Sequence, residues 1–248
     1  MIWIGISGFQ HPEWKGNFYP ENLPPAKMLA YYSERFATTE INYTVRQLPT
    51  DKTLASWLAQ TPEQFRFTLK ALQRITDFQR LRDCEKLLQQ FLDVAMKLGP
   101  KRGALLFQLP PSFHCDLSVL RDFLALLPKS ARVAFEFRHT SWFSDSVFET
   151  LHQHNAALCI ADSQDLTTPP VLVSNTGYFR LRRASYTPVE LQRWAELIRD
   201  QASRLTEIYV YFKHEETGTG PDLAKQLMEM LGLRQAIPEE NKPDRPLS

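Results

Sequence analysis

Eight short stretches of this 248-residue chain alternate apolar with small or polar residues, and six of the eight end in a charged or amide side chain. The clearest is RVAFEFRHTSW, from Arg132 to Trp142. Val133, Phe135 and Phe137 alternate there with Ala134, Glu136 and Arg138, and the run then breaks into polar residues. A period of two gives a strand two distinct faces. One face is purely apolar; the other brings a carboxylate and a guanidinium to the carboxyl end. Such a strand suits a closed parallel barrel, greasy on its outside and chemically equipped at its carboxyl-terminal mouth.

The rest of the chain repeats the pattern. Strands are expected over 2–7, 38–42, 65–70, 103–109, 132–138, 157–162, 178–182 and 207–213. Helical stretches fall between them at 26–36, 51–60, 83–98, 116–127, 145–154 and 187–204, and a last one at 221–231 follows. The 83–98 segment places Leu87, Leu88, Phe91, Leu92, Ala95 and Leu98 on one stripe before Gly99-Pro100 ends it. Only the step from the sixth to the seventh strand lacks a clear helix; Pro169-Pro170 lies inside it. Strands alternating with helices form one parallel sheet, and a length near 250 is typical of an eight-fold β/α barrel. The expected fold is therefore α/β, a single TIM-like (β/α)8 barrel over 1–236. The polar, proline-rich tail 237–248 is expected to be disordered.

Composition removes several function classes. A formal net charge of +1 argues against a broad basic surface for nucleic acid. Cys84, Cys115 and Cys159 are odd in number and far apart, with no C-x-x-C spacing, so zinc-knuckle and dithiol readings fail. Buried reduced thiols in a reducing cytoplasm are the expectation. No apolar run approaches membrane-span length, so no membrane partner is expected.

Strand parity then selects the inward side chains. Glu40 and Asn42, Lys70, Gln108, Glu136 and Arg138, Asp162, and Arg180 with Arg182 are all expected inside one rim. Lone buried charges are costly, so these groups must pair with one another or meet a ligand. Three acids (Glu40, Glu136, Asp162) face five bases (Lys70, Arg138, Arg180, Arg182, Lys213). The cationic surplus favours an anionic ligand such as a phosphate or carboxylate. An interior salt-bridge plug is the structural alternative. Trp14 and Trp142, in the loops after the first and fifth strands, are candidates for stacking a ligand, with loop pinning the competing role. Phe18 and Tyr19, beside Pro20, fit the pinning role. No cofactor is expected. His11 and His139 with Glu136 and Asp162 would be the donors if a divalent metal bound, but no H-x-x-x-H or H-E-x-x-H spacing supports one.

With these motifs in view, the chain resembles the domain of unknown function 72 family, the YecE-like proteins. The resemblance rests on GISGFQHPEWKGNFYP from Gly5, EINYTVRQLP from Glu40, FRFTLK from Phe65 and LLFQLPPSF from Leu105. AFEFRHTSW from Ala134, IADSQD from Ile160, YFRLRR from Tyr178 and YVYFKH from Tyr209 continue it. It implies a TIM-like barrel with a polar pocket lined at Glu40, Asn42, Lys70, Gln108, Glu136, Arg138, His139, Asp162 and Arg180, and no established reaction. Two positions depart from the pattern: Asp77 stands where many relatives carry histidine, and Phe212-Lys213-His214 where many carry Phe-Asn-Asn.

Three functions follow from this reading. The leading one is a cofactor-independent enzyme, a hydrolase or lyase, acting on a small anionic or sugar-like substrate. Glu136, Glu40 and Asp162 would supply acid/base chemistry. Lys70, Arg138, His139, Arg180, Asn42 and Gln108 would hold the ligand. The second is nucleic-acid binding or phosphodiester cleavage, by analogy with metal-dependent barrel nucleases. The third is a non-catalytic metabolite sensor.

Overall fold

The computed structural model of the protein describes residues 1–164, 166–213 and 218–233. Its strands are β1 (Ile2–Ser7), β2 (Thr38–Ile41), β3 (Arg66–Lys70), β4 (Arg102–Gln108), β5 (Val133–Glu136), β6 (Ala157–Asp162), β7 (Thr176–Leu181) and β8 (Glu207–Phe212). All neighbours pair in parallel and β8 closes on β1, so the sheet has no edge. Helices α1 (Met28–Ser33), α2 (Asp51–Ala59), α3 (Glu85–Met96), α4 (Leu117–Ala125), α5 (Asp145–Gln153), α6 (Pro188–Ala202) and α7 (Thr219–Met230) cover the outside. Between β6 and β7 the described chain is irregular, as the prolines there require. The tail 237–248 lies outside the described residues.

Local sequence explains most of these boundaries. Thr50 accepts the Thr53 amide at the start of α2, and Asp116 accepts that of Val119 at the start of α4. Thr187 and Glu190 form a reciprocal capping box, with Pro188 in the first turn of α6. The helix expected over 26–36 is shorter than its pattern: a 3-10 turn, Pro25–Lys27, precedes α1. A single π turn, Arg74–Phe78, follows β3, and no periodicity announces it. Gly5 is required by the β1–β2 approach, because a Cβ there would lie 2.1 Å from the Thr38 carbonyl oxygen.

Two apolar layers result. Outside the strands, Phe107 stacks on Phe135 at 5.3 Å and meets Phe91 and Phe123 edge-on. Inside, small residues (Ala104, Ala134, Ala157, Cys159) leave room for Tyr178, Tyr209 and Tyr211. The Tyr211 hydroxyl lies 2.7 Å from both Thr38 Oγ1 and Thr68 Oγ1, so the middle of the barrel is hydrogen-bonded as well as filled. At the amino-terminal end, Arg132 pairs with buried Glu207, and Arg66 lies over the Trp3 ring at 4.9 Å.

One strand overturns the expected parity. The inward residues of β6 are Ala157, Cys159 and Ala161; Leu158 and Ile160 belong to the outer core. Both faces of this strand are apolar, so alternation alone does not orient it. Packing decides: the smaller residues go inside, beside the tyrosines, and the larger ones under the helices. Asp162 is thereby turned out of the barrel.

Candidate active site at the carboxyl-terminal mouth

The mouth is organised around Arg180, near the end of β7. Its side chain is 2% exposed and its guanidinium reaches two buried carboxylates. Nη2 donates to Glu40 Oε1 at 2.7 Å, and Nη1 donates to Glu136 Oε2 at 2.5 Å. Fork geometry lets one cation serve two anions. Every other carboxylate oxygen is also occupied. Ser7 Oγ donates to Glu40 Oε1 at 2.6 Å, the Tyr178 hydroxyl donates to Glu40 Oε2 at 2.6 Å, and Gln108 Nε2 donates to Glu136 Oε1 at 2.7 Å. Asn42 Nδ2 donates to Ser7 Oγ at 2.8 Å, and Lys70 Nζ donates to Gln108 Oε1 at 2.7 Å. A continuous polar chain therefore runs from Asn42 to Lys70 through six elements of the barrel.

These contacts set the charge states. Burial on its own would raise both carboxyls. Arg180, with the Ser7 and Tyr178 hydroxyls, instead holds Glu40 below the usual carboxylate range. Arg180 and Arg182 bring Glu136 down to about 2. Burial opposes the charge on Arg180 as well, but Glu136 and Glu40 outweigh it and raise its pKa well above the ordinary value. Lys70 moves the other way: burial, then Arg180, push its ammonium down to about 8 against the pull of Glu40 and Glu136. The Tyr178 phenol and the Cys159 thiol are both raised by burial, so neither ionises readily.

Two cavities open at this rim. The larger, about 670 Å³, is lined by Ser7, Asn42, Arg46, Lys70, Arg180 and Arg182 among others. The smaller, about 380 Å³, is lined by Glu136, Arg138, His139, Thr168 and Arg182 among others. Arg182 borders both. It is half-buried, and no hydrogen bond or ion pair joins its guanidinium to another described residue. Lys70 likewise has no carboxylate within ion-pair distance among the described residues.

Most of the expected set comes together. Glu40, Glu136, Lys70, Gln108, Asn42 and Arg180 form the connected network. Arg138 stands at its edge, 3.6 Å from Glu136 Oε1 and 41% exposed. His139 is on the rim, its ring stacked on His114 at 3.9 Å and its Nδ1 accepting the Ser141 amide.

Three expectations are corrected. Asp162 does not join the network: it faces outward and its Oδ1 accepts from Arg183 Nε at 2.9 Å, while Arg183 also holds Glu190 of α6. Trp142 is fully buried, stacked on Phe137 at 4.5 Å with Nε1–H donating to the Phe113 carbonyl, so its face is not open to a ligand. Trp14 is fully buried too, packed against His11, Phe18 and Tyr19. These rings pin their loops, the role expected of Phe18 and Tyr19. The candidate metal donors are also separated: His11 Nδ1 faces Glu13, and no group of three or more metal-binding side chains is gathered among the described residues. Replacing Asp162 by asparagine is expected to cost about 1–2 kcal/mol of stability and to leave ligand binding at the mouth unchanged. Thermal melts with and without added anion measure both.

Sequence reasoning left Ser7, Tyr178 and Arg46 out of the site, and placed Arg182 inside the rim without giving it a role there. Only the closed sheet brings Ser7 and Tyr178 to Glu40. Arg182 carried a signal, since it repeats the parity of Arg180. Arg46 follows β2 in a loop whose position is set by Thr44, whose hydroxyl donates to the Lys70 carbonyl at 2.5 Å. Asp77, one of the two departures, accepts from the adjacent Thr76 hydroxyl at 2.6 Å within the π turn.

Residues 3–247 match the family model described as "Protein of unknown function DUF72". The chain belongs to the DUF72 family. Its similarity to the UPF0759 protein YecE of Escherichia coli is 31% identity over 170 residues, 66% of this chain. The matched stretch spans 60% of that relative's length. With the UPF0759 protein YunF of Bacillus subtilis it shares 24% identity, covering 94% of this chain and 95% of the relative. A crystal structure of a DUF72 family protein from Thermotoga maritima superposes with a TM-score of 0.84 at 27% identity, covering 94% of this chain and 99% of that one. The DUF72 fold here is thus a TIM-like barrel, and among its described residues no helix is long and apolar enough to cross a membrane.

Proposed function

We propose that the mouth of this DUF72 barrel is an enzyme active site that takes a small ligand bearing a carboxylate or phosphate. One observation carries the reading: Arg182 stands half-buried between two cavities, with no carboxylate at hydrogen-bond or ion-pair distance among the described residues. Arg180 already balances its two neighbours by sharing one guanidinium between Glu40 and Glu136. Arg182, Lys70, Arg46 and Arg138 are therefore cations around two carboxylates that are already satisfied. A guanidinium in such a place matches a planar or tetrahedral oxyanion.

The same charge states reshape the chemistry. A glycosidase-type pair needs one carboxylic acid that is protonated near neutrality. Glu136 is at about 2 and Glu40 is also lowered, so neither serves as a proton donor. They act here by fixing Arg180 and the Gln108 amide. Lys70, at about 8, is a group at the mouth whose proton moves near physiological pH.

Anion binding is tested by thermal shift and calorimetry with inorganic phosphate, simple carboxylates and phosphate monoesters. At least one should stabilise the wild type with a Kd in the micromolar to millimolar range. Arg182→Gln should weaken that ligand by on the order of 10- to 100-fold, the loss of one charge-assisted contact. No stabilisation by any anion, or full retention in Arg182→Gln, overturns the reading. The nucleic-acid alternative makes a different forecast, retention of single- or double-stranded DNA that falls steeply with salt.

A further inference from the structure

Lys70 is the one amine in the connected network, and its surroundings differ from those of a structural lysine. It leaves β3 at the mouth and lines the 670 Å³ cavity. Its hydrogen-bond partner among the described residues is neutral: Gln108 Oε1 at 2.7 Å. Gln108 cannot turn away, because its amide nitrogen is committed to Glu136. The charged groups around the amine come from several elements: Glu40 on β2, Glu136 on β5, Arg180 and Arg182 from β7, and Arg46 from the loop after β2. Both carboxylates are spent on Arg180, so the ammonium is desolvated beside cations without a direct counter-ion. Desolvation and a neighbouring cation are the two ways proteins free a lysine to act as a nucleophile.

We propose that Lys70 is a catalytic nucleophile that forms an imine with a small carbonyl compound whose carboxylate or phosphate is held by Arg182. This rests on the anion-binding reading and specifies its substrate class. The Lys70 nitrogen lone pair attacks the carbonyl carbon, and the C=O π electrons move to oxygen, which takes up a proton. That proton comes from the amine; the resulting carbinolamine loses its hydroxyl as water together with the second amine proton, and a C=N bond replaces C=O. Gln108 Oε1 accepts one N–H of the free amine and leaves the lone pair available, so it positions Nζ without quenching it. Cationic neighbours then favour electron withdrawal from the carbon beside the imine. The low pKa of about 8 agrees with this placement, since it leaves a sizeable fraction of Lys70 as free amine near neutrality.

The experiment is reductive trapping on the full-length protein. Glyoxylate, pyruvate and dihydroxyacetone phosphate are incubated separately with sodium cyanoborohydride, which delivers hydride to the imine and leaves a secondary amine. Peptide mass mapping then locates the adduct. Lys70 is expected to be labelled about tenfold or more faster than exposed lysines such as Lys27 and Lys52, as its larger free-amine fraction requires. The carboxylates and the phosphate separate the two sources of the anionic group. Lys70→Arg should lose the fast adduct. Labelling spread evenly over the exposed lysines, or no adduct on Lys70 while anions still stabilise the protein, overturns the inference and leaves the anion site standing. Loss of anion stabilisation in the wild type removes both.

Discussion

Arg180→Met should destabilise the protein by about 3–5 kcal/mol, the effect of removing one partner from a buried ion pair. The reason is specific to this barrel. Glu40 and Glu136 are both buried, and one guanidinium serves them both. Without it, the Ser7, Tyr178 and Gln108 hydrogen bonds remain, but two carboxylates face each other in a desolvated mouth. Their pKa values must then rise, and the protein should become more stable toward mildly acid pH, the reverse of the wild type. Urea unfolding at pH 8 and pH 5.5 measures both changes. Combining Arg180→Met with Glu40→Gln and Glu136→Gln should recover much of the loss, because no buried charge is left unpaired. A loss below about 1 kcal/mol in the single variant would show that Arg180 is not the electrostatic centre of the mouth.

The second large effect is on acid stability. Glu136 titrates at about 2 in the folded protein, against about 4.3 for an unfolded glutamate. A carboxyl lowered by folding stabilises the native state above its unfolded pKa and loses that contribution as pH falls toward its folded pKa. The window is therefore about pH 5 down to pH 2, and the loss is on the order of 3 kcal/mol from this residue. Glu40 is lowered too and adds in the same direction. Glu136→Gln should be less stable than wild type at pH 7 and should show a flatter decline between pH 5 and pH 2. Equal slopes for the two proteins would mean that Glu136 is not ion-paired as described. The same variant reports on chemistry: unchanged turnover of a substrate would confine Glu136 to holding Arg180 and Gln108.

The barrel was legible because most strands carry their own orientation signal. Where one face is apolar and the other polar, as in Ala134, Glu136 and Arg138 against Val133, Phe135 and Phe137, alternation names the inside. Glu40, Lys70, Gln108, Glu136 and Arg180 were found this way. On β6 the signal vanishes, since Ala157 to Ala161 is apolar throughout, and Asp162 was assigned to the wrong side of the wall. Trp14 and Trp142 failed for a different reason. A tryptophan in a loop has the same composition whether its face is open or stacked, and only the positions of Phe137, Phe113 and Tyr19 decide.

Charge state was the least legible property. From the sequence, Glu40 and Glu136 are two acids suited to proton transfer, and Lys70 is one of several cations. The geometry reverses the roles, leaving the acids ionised near neutral pH and the amine poised to lose its proton. A pKa depends on distances of a few ångströms and on the solvent excluded around them, and neither is written in residue order.

What the linear chain determined alone was periodicity: eight alternating runs, the helices between them, and a set of ionisable groups at one end of the strands. Those follow from side-chain size and polarity at fixed spacing, which local backbone geometry turns directly into faces. Only closure of the sheet decided which of those groups share a guanidinium, which one faces away, and which cation stands without a partner. These are contacts between residues up to 173 positions apart, and Coulomb forces and desolvation act on distance through space.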